Sequence, residues 1–221
     1  MTSTLIEIGG GDNSQVISDN AGKTVNVKLD RPFNTSGWGT LCVPFEMSAS
    51  VIGEAYELGT ITKHQTGEGI NLNLAKVETI EAGKPYLIKA NVPSLDVIKN
   101  VTIVNTTGSS YTVTGDGIKI TFTGLINGDG QTDGSTEYYV GAKDGYLYNA
   151  TVDKLGLRAL FTITDEAGNP TKVRARVVTR EDAATGFENI TTTDKAVKII
   201  ENGQLIIIRN GEKYNVQGQR L

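Results

Sequence analysis

Apolar residues recur with a period of two along most of the chain. Val25, Val27 and Leu29 alternate with Thr24, Asn26 and Lys28, and Ile70, Leu72 and Leu74 alternate with Asn71 and Asn73. Ala159, Phe161 and Ile163, then Val173, Ala175 and Val177, repeat the pattern, which is that of strands with one buried face. Trp38 to Phe45 differs. Leu41, Val43 and Phe45 occupy one alternation phase while Trp38 and Cys42 occupy the other, so both faces are apolar. A strand of this kind normally lies between two layers, and the pattern predicts a central place in a sandwich. Pro44 limits its pairing, because proline has no N–H to donate.

Turn signals divide the remaining strands. Tyr111–Thr114 and Ile118–Phe122 flank Gly115-Asp116-Gly117, and Tyr138–Val140 and Tyr146–Tyr148 flank Lys143-Asp144-Gly145. Both read as hairpins. Tyr86–Ile88 and Val101–Val104 are further β runs, and Val77 and Ile80 extend the Ile70 run as a bent strand. One helix is predicted after Phe45, capped by Ser48 or Ser50, with Val51, Ile52, Ala55 and Tyr56 at helical spacing and Gly59 ending it. In the C-terminal part Asn202-Gly203 and Asn210-Gly211 each separate β runs and predict two-residue type I′ turns. That register sets Ile200 opposite Leu205, Val197 opposite Ile208, Arg209 opposite Glu212 and Ile207 opposite Tyr214. One face of the meander then carries Ile200, Leu205, Ile207, Tyr214 and Val216. The other carries Val197, Ile199, Ile206 and Ile208, and two apolar faces predict a docking element.

The fold class that follows is all-β, an antiparallel β-sandwich with one short helix and a C-terminal three-stranded meander. Residues 1–23 read as a loosely held, glycine-rich lead-in in which Leu5, Ile6 and Ile8 add a short strand; 24–181 as the sandwich; 182–195 as a linker; and 196–221 as the meander.

Composition narrows the function classes. A chain of 221 residues buries a core without staples, and its 26 glycines suit short strands and tight turns. A formal net charge of -4 gives no electrostatic footing for nucleic acid. The single cysteine cannot form an internal disulfide, and no stretch approaches the ~20 apolar residues of a membrane span.

Candidate chemistry is sparse. His64 is the only histidine and Cys42 the only cysteine, too few for a structural zinc site. Cys42 lies in an apolar strand, where a thiol is normally buried and inert. Asn127 to Gly134 places oxygen side chains at alternate positions, with Asp129, Gln131 and Asp133 like the opening of a calcium loop, but Val140 stands where a bidentate glutamate is needed. A polar hairpin loop is the simpler reading, so no cofactor is expected. Lys172, Arg174 and Arg176 share a strand face, with Arg158 a possible neighbour, as either a solvated surface or a stripe for acidic glycans. Tyr138, Tyr139, Tyr146 and Tyr148 gather on one hairpin, as either cross-strand packing or a platform for sugar stacking. Asp129, Asp133 and Glu137 share one loop and make a poor opposed pair for glycoside hydrolysis.

Three stretches, Phe33–Phe45, Ile80–Ile88 and Tyr138–Tyr148 running into Leu157–Phe161, resemble in order the secreted and cell-surface β modules of Bacteroidales such as Bacteroides and Prevotella. The tail, from Gly186-Phe-Glu-Asn-Ile190 through Ile206–Gly211 to Tyr214–Gly218, is similar to a type IX secretion sorting signal but shorter than the complete domain. The resemblance implies a non-catalytic structural or adhesion-type module at an extracellular or outer-membrane surface, with a leader removed. Its expected partners are a surface glycan, a neighbouring surface protein or secretion machinery. The alternative is a carbohydrate-binding module using Tyr138, Tyr146 and Tyr148 with Arg174 and Arg176.

Overall fold

The computed structural model describes residues 4–64, 69–179, 197–201, 204–209 and 212–214. In chain order the first unit contains β1 (Leu5–Gly9), α1 (Ser14–Asn20), β2 (Thr24–Asp30), β3 (Trp38–Leu41) and β4 (Met47–Ser48). There follow β5 (Gly53–Lys63), β6 (Ile70–Val77), β7 (Thr79–Ile80), β8 (Tyr86–Ala90) and β9 (Ile98–Thr102). Last come β10 (Ser110–Gly115), β11 (Ile118–Leu125), β12 (Glu137–Val140), β13 (Leu147–Tyr148), β14 (Arg158–Asp165) and β15 (Ala175–Val178). The all-β, sandwich-like class holds, and α1 is the one α-helix among the described residues.

Two five-stranded sheets, ordered β10-β11-β14-β12-β13 and β15-β6-β5-β8-β3, close over one core built on Tyr56, Leu72, Leu87, Phe122, Phe161 and Val177. Phe122 and Phe161 face each other in register across β11 and β14, with ring centroids stacked at 4.3 Å. The opposite face of the β5-β8-β3 end carries Ala55, Tyr86, Ile88 and Leu41 into a second core. There they meet Ile6, Ile8, Val25, Val27 and Val101 of the three-stranded sheet β1-β2-β9. The β5-β8-β3 end is thus a middle layer. In β8 the consecutive residues Tyr86, Leu87 and Ile88 are all buried, as a strand covered on both faces requires.

The Trp38 segment lies in this middle layer, but at its edge and not its centre, since β3 pairs only with β8. Regular pairing stops at Leu41, before Pro44. The alternation therefore lapses: Cys42 joins Leu41, Val43 and Phe45 in the second core, while Trp38 alone turns to the first. Side-chain bonds take over where β3 meets the facing sheet, as buried Thr40 Oγ1 accepts from Ala159 N at 2.9 Å and stands 3.2 Å from Ala159 O.

Two local expectations are corrected. The stretch after Phe45 is not a helix: Ser48 caps only a 3₁₀ turn, Ala49–Val51, and Gly53 starts the longest strand. Sheet pairing on both sides of β5 outweighs the helical spacing of Val51, Ile52, Ala55 and Tyr56. Gly59 marks a bulge, where an added Cβ would lie 2.9 Å from Asn73 O, and Tyr111 Oη accepts the Leu58 N–H there at 2.9 Å. The helix lies instead in the supposed loose lead-in, whose strand β1 pairs in parallel with β2. Ile6, Ile8 and Ile17 are core residues. Buried Asn13 locks this part by donating to Gly9 O at 2.8 Å and Ile126 O at 2.7 Å while accepting from Gly9 N at 2.9 Å. Met1–Ser3 lie outside the described residues.

Both predicted hairpins form. Asp116 and Gly117 take φ of 53° and 77°, as a type I′ turn demands, and Tyr139 and Val140 pair with Tyr148 and Leu147. Parallel pairs, β1 with β2 and β15 with β6, depart from the purely antiparallel expectation.

The chain divides into two compact units, Met1–Glu181 and Asp182–Leu221. The second contains β16 (Val197–Glu201), β17 (Gln204–Arg209) and β18 (Glu212–Tyr214) in an antiparallel meander. Its register sets Ile200 opposite Leu205, Val197 opposite Ile208, Ile207 opposite Tyr214 and Arg209 opposite Glu212, as the spacing of the Asn-Gly pairs predicts. The turns themselves, Val216, the 182–195 segment and the side chains of Val197, Ile199, Ile206 and Ile208 lie outside the described residues.

Candidate functional site

A pocket of about 430 Å³ opens where the end of β2, the start of β3, the β12–β13 hairpin and the start of β14 converge. Its wall includes Arg31, Phe33, Trp38, Tyr139 and Arg158, with Lys154 and Leu155 from the preceding loop. The hairpin is held against β3 by backbone: Trp38 N donates to Ala142 O at 2.8 Å, and a Cβ on Gly37 would overlap that carbonyl at 1.9 Å. Glycine at 37 is what permits the approach.

Arg31 is buried, with 6% of its surface exposed. Its Nη1 donates to Leu157 O and its Nη2 to Thr40 O, and its guanidinium sits 5.0 Å over the Phe33 ring. The Leu157 carbonyl belongs to a residue in the left-handed region, φ 60°, which leucine avoids, so Arg31 also steadies an unfavourable backbone conformation. Arg158 is half-buried on β14 and has no side-chain hydrogen bond among the described residues. The Nε atoms of both arginines are buried without a partner, and neither guanidinium has a carboxylate within ion-pair distance among the described residues. Burial and then repulsion from Arg158 push Arg31 well below the arginine range, to about 9, and burial lowers Arg158. Both stay charged at neutral pH. Of the other charged groups here, Lys154 of the lining pairs with Glu137 at 2.7 Å, and Asp153 accepts from Gln131 Nε2 at 2.9 Å.

The tyrosines of the hairpin have separate fates. Tyr138 is buried in the first core and cannot take part in a surface platform. Tyr146 is half-buried, with the Arg174 guanidinium 4.2 Å and that of Arg176 5.5 Å from its ring centroid. Arg176 Nε also donates to Asp144 O at 2.9 Å, so these arginines of the basic stripe clamp the hairpin. Tyr148 is exposed, donates to Asp144 Oδ2 at 2.5 Å, and lies 6.1 Å from Tyr139, which reaches the pocket. The Tyr148 hydroxyl and the Tyr146 N–H hold Asp144 below the usual carboxylate range. Arg158, a possible neighbour of the Lys172–Arg176 stripe, lines the pocket with Arg31.

The remaining candidates have structural explanations. Cys42 is fully buried, its thiol pushed up to about 12 by desolvation, and it packs on Gly124, where a Cβ would stand 2.5 Å from Sγ. His64 is half-buried at the end of β5. In the Asn127–Gly134 loop, Thr136 Oγ1 donates to Asp133 Oδ2 and Asp133 Oδ1 accepts backbone N–H groups from Ser135, Thr136 and Glu137 at 2.8 to 3.0 Å, which together hold its carboxyl far below the usual range. Asn127 Oδ1 accepts from Asn13 N at 3.0 Å. Among the described residues no cluster of three or more His, Cys, Asp or Glu side chains has metal-binding geometry, and no helix is long and apolar enough to cross a membrane.

Sequence reasoning passed over Arg31 and Phe33. A signal was present: Val25, Val27, Leu29, Arg31 and Phe33 all fall on one phase, so the arginine stands at a position the pattern marks as buried. Nothing comparable flags Arg158, which sits on the opposite phase from Ala159, Phe161 and Ile163. No family model, no curated protein and no solved structure matches the chain. Fold and site together define a class: an all-β module with an aromatic and cationic pocket among the described residues, at the junction of its two main sheets.

Proposed function

We propose that the chain is a non-catalytic binding module of the adhesion type, working at an extracellular or outer-membrane surface. The observation that carries the binding role is the pocket itself. Its volume falls in the range of about 300–1,000 Å³ typical of ligand sites, and aromatic side chains stand beside uncompensated cations. Absence of catalysis is supported by the lining, where Asp153 is the single carboxylate, while glycoside hydrolysis employs two facing each other at about 5 to 9.5 Å. The surface location rests on the resemblance of the Phe33–Phe45, Ile80–Ile88 and Tyr138–Phe161 stretches to Bacteroidales modules, and the role of the meander in secretion or docking rests on the tail.

A carbohydrate as ligand is favoured by Tyr139 at the pocket and exposed Tyr148 beside it. The platform in this reading is Tyr139 with Tyr148, since Tyr138 is buried and Arg174 covers one face of Tyr146. A glycan array tests the proposal: retention of a defined set of glycans without release of reducing ends supports a non-catalytic binder. Product release, or an array with no binding at all, contradicts it.

A further inference from the structure

Two guanidinium groups close enough to repel each other line one pocket, one of them almost fully buried, and no carboxylate among the described residues pairs with either. Unpaired buried charge is costly, and a second like charge beside it adds to the cost. Arg31 has a structural role in holding the Leu157 and Thr40 carbonyls. Arg158 has none of this kind: its side chain makes no hydrogen bond to a described residue, yet its Nε is buried. Asp153, the one carboxylate in the lining, makes no ion pair with either arginine, and Glu137 is paired with Lys154. Two neighbouring guanidinium groups with no ion-paired carboxylate, at the wall of one pocket, are suited to an anionic group.

We propose that the pocket binds a carboxylate-bearing ligand, with the carboxylate against the Nη groups of Arg158, the charge of Arg31 in the wall beside it, and the body of the ligand against Tyr139 and Leu155. Guanidinium N–H pairs can meet the two planar oxygens of a carboxylate in parallel. The pocket size suits one sugar acid, either free or as the terminal uronate of a glycan. This inference rests on the reading of the pocket as a binding site.

The test uses the full chain and calorimetric titration with glucuronate, galacturonate, glucose, galactose, acetate and inorganic sulfate, followed by an oligosaccharide ending in a uronate. Saturable binding of the sugar acids, little or none of the neutral sugars, and a loss of about 10- to 100-fold for Arg158→Gln are expected. Arg158→Gln should melt at or above the wild-type temperature, since it removes a like charge beside Arg31, and this separates lost binding from lost folding. Tighter binding of the oligosaccharide than of the free acid identifies a glycan terminus as the source, and the reverse identifies a free acid. Equal binding of neutral and acidic sugars, or sulfate preferred to carboxylate, would overturn the inference while leaving a binding module in place. Array hits that survive Arg158→Gln but vanish with Tyr148→Ala would move the site to the hairpin and also overturn it.

Discussion

Cys42 and Gly124 form a contact that a single methyl group would break. A Cβ at Gly124 would stand 2.5 Å from Cys42 Sγ, so Gly124→Ala should destabilise the protein by about 1–3 kcal/mol. Cys42→Ala in the same chain should recover part of that loss, and a double-mutant cycle in urea measures the coupling. The thiol also sets a pH dependence. Its folded value, about 12, lies above the 9.0 of an unburied thiol, so in alkaline solution the unfolded chain ionises first and native stability falls. Wild type should lose stability relative to Cys42→Ala by up to about 1.4 kcal/mol per pH unit above pH 9, with no difference in slope below it. Rapid reaction of the native thiol with a labelling reagent, at the rate seen in denaturant, would contradict both statements. Burial of Cys42 is legible in the sequence because its neighbours are apolar. Burial of Arg31 is legible only through its alternation phase, which charge obscures.

At the level of elements, α1 depends on Asn13, whose side chain ties Gly9 to Ile126 across two distant parts of the chain. Asn13→Ala should cost on the order of 3 kcal/mol, because it leaves buried backbone groups unsatisfied, and thermal melts would register it. Gly117 presents a different case. Its φ is 77° and nothing lies within 4 Å of an added Cβ, so Gly117→Ala should cost only about 1 kcal/mol, all of it backbone conformation. The hairpins were readable because Asp-Gly turns act locally, and the meander register followed from its Asn-Gly spacing by the same logic. The β5 stretch misleads because Val51, Ile52, Ala55 and Tyr56 fit a helix, whereas long-range pairing with β6 and β8 decides its conformation. The glycines at 9 to 11 suggest a loose end, yet they allow close backbone contact: Gly128 N donates to Gly11 O at 2.9 Å and Gly156 N to Gly10 O at 2.8 Å. Such partners are more than a hundred residues away and leave no local signal.

For the whole molecule, the first unit holds both cores within residues ending at Glu181. A chain cut after Glu181 should therefore unfold cooperatively and retain the pocket, which circular dichroism and ligand titration would establish; loss of the cooperative transition would contradict this. The layered class was legible from alternation and from two-faced apolar runs. The pocket was not, because it forms only where the ends of β2, β3, β12 and β14 meet, and its cationic lining comes from residues 127 positions apart, Arg31 and Arg158. Trp38 is the only tryptophan and lines that pocket, so its indole N–H gives one assignable nitrogen–proton cross-peak at the site. The most direct measurement follows that cross-peak while glucuronate and then glucose are added to the full-length protein. A carboxylate site at Arg158 requires a saturable shift with the sugar acid, absent with glucose and absent in Arg158→Gln; an indole signal that stays fixed while only the Tyr148 hairpin responds would rule that site out.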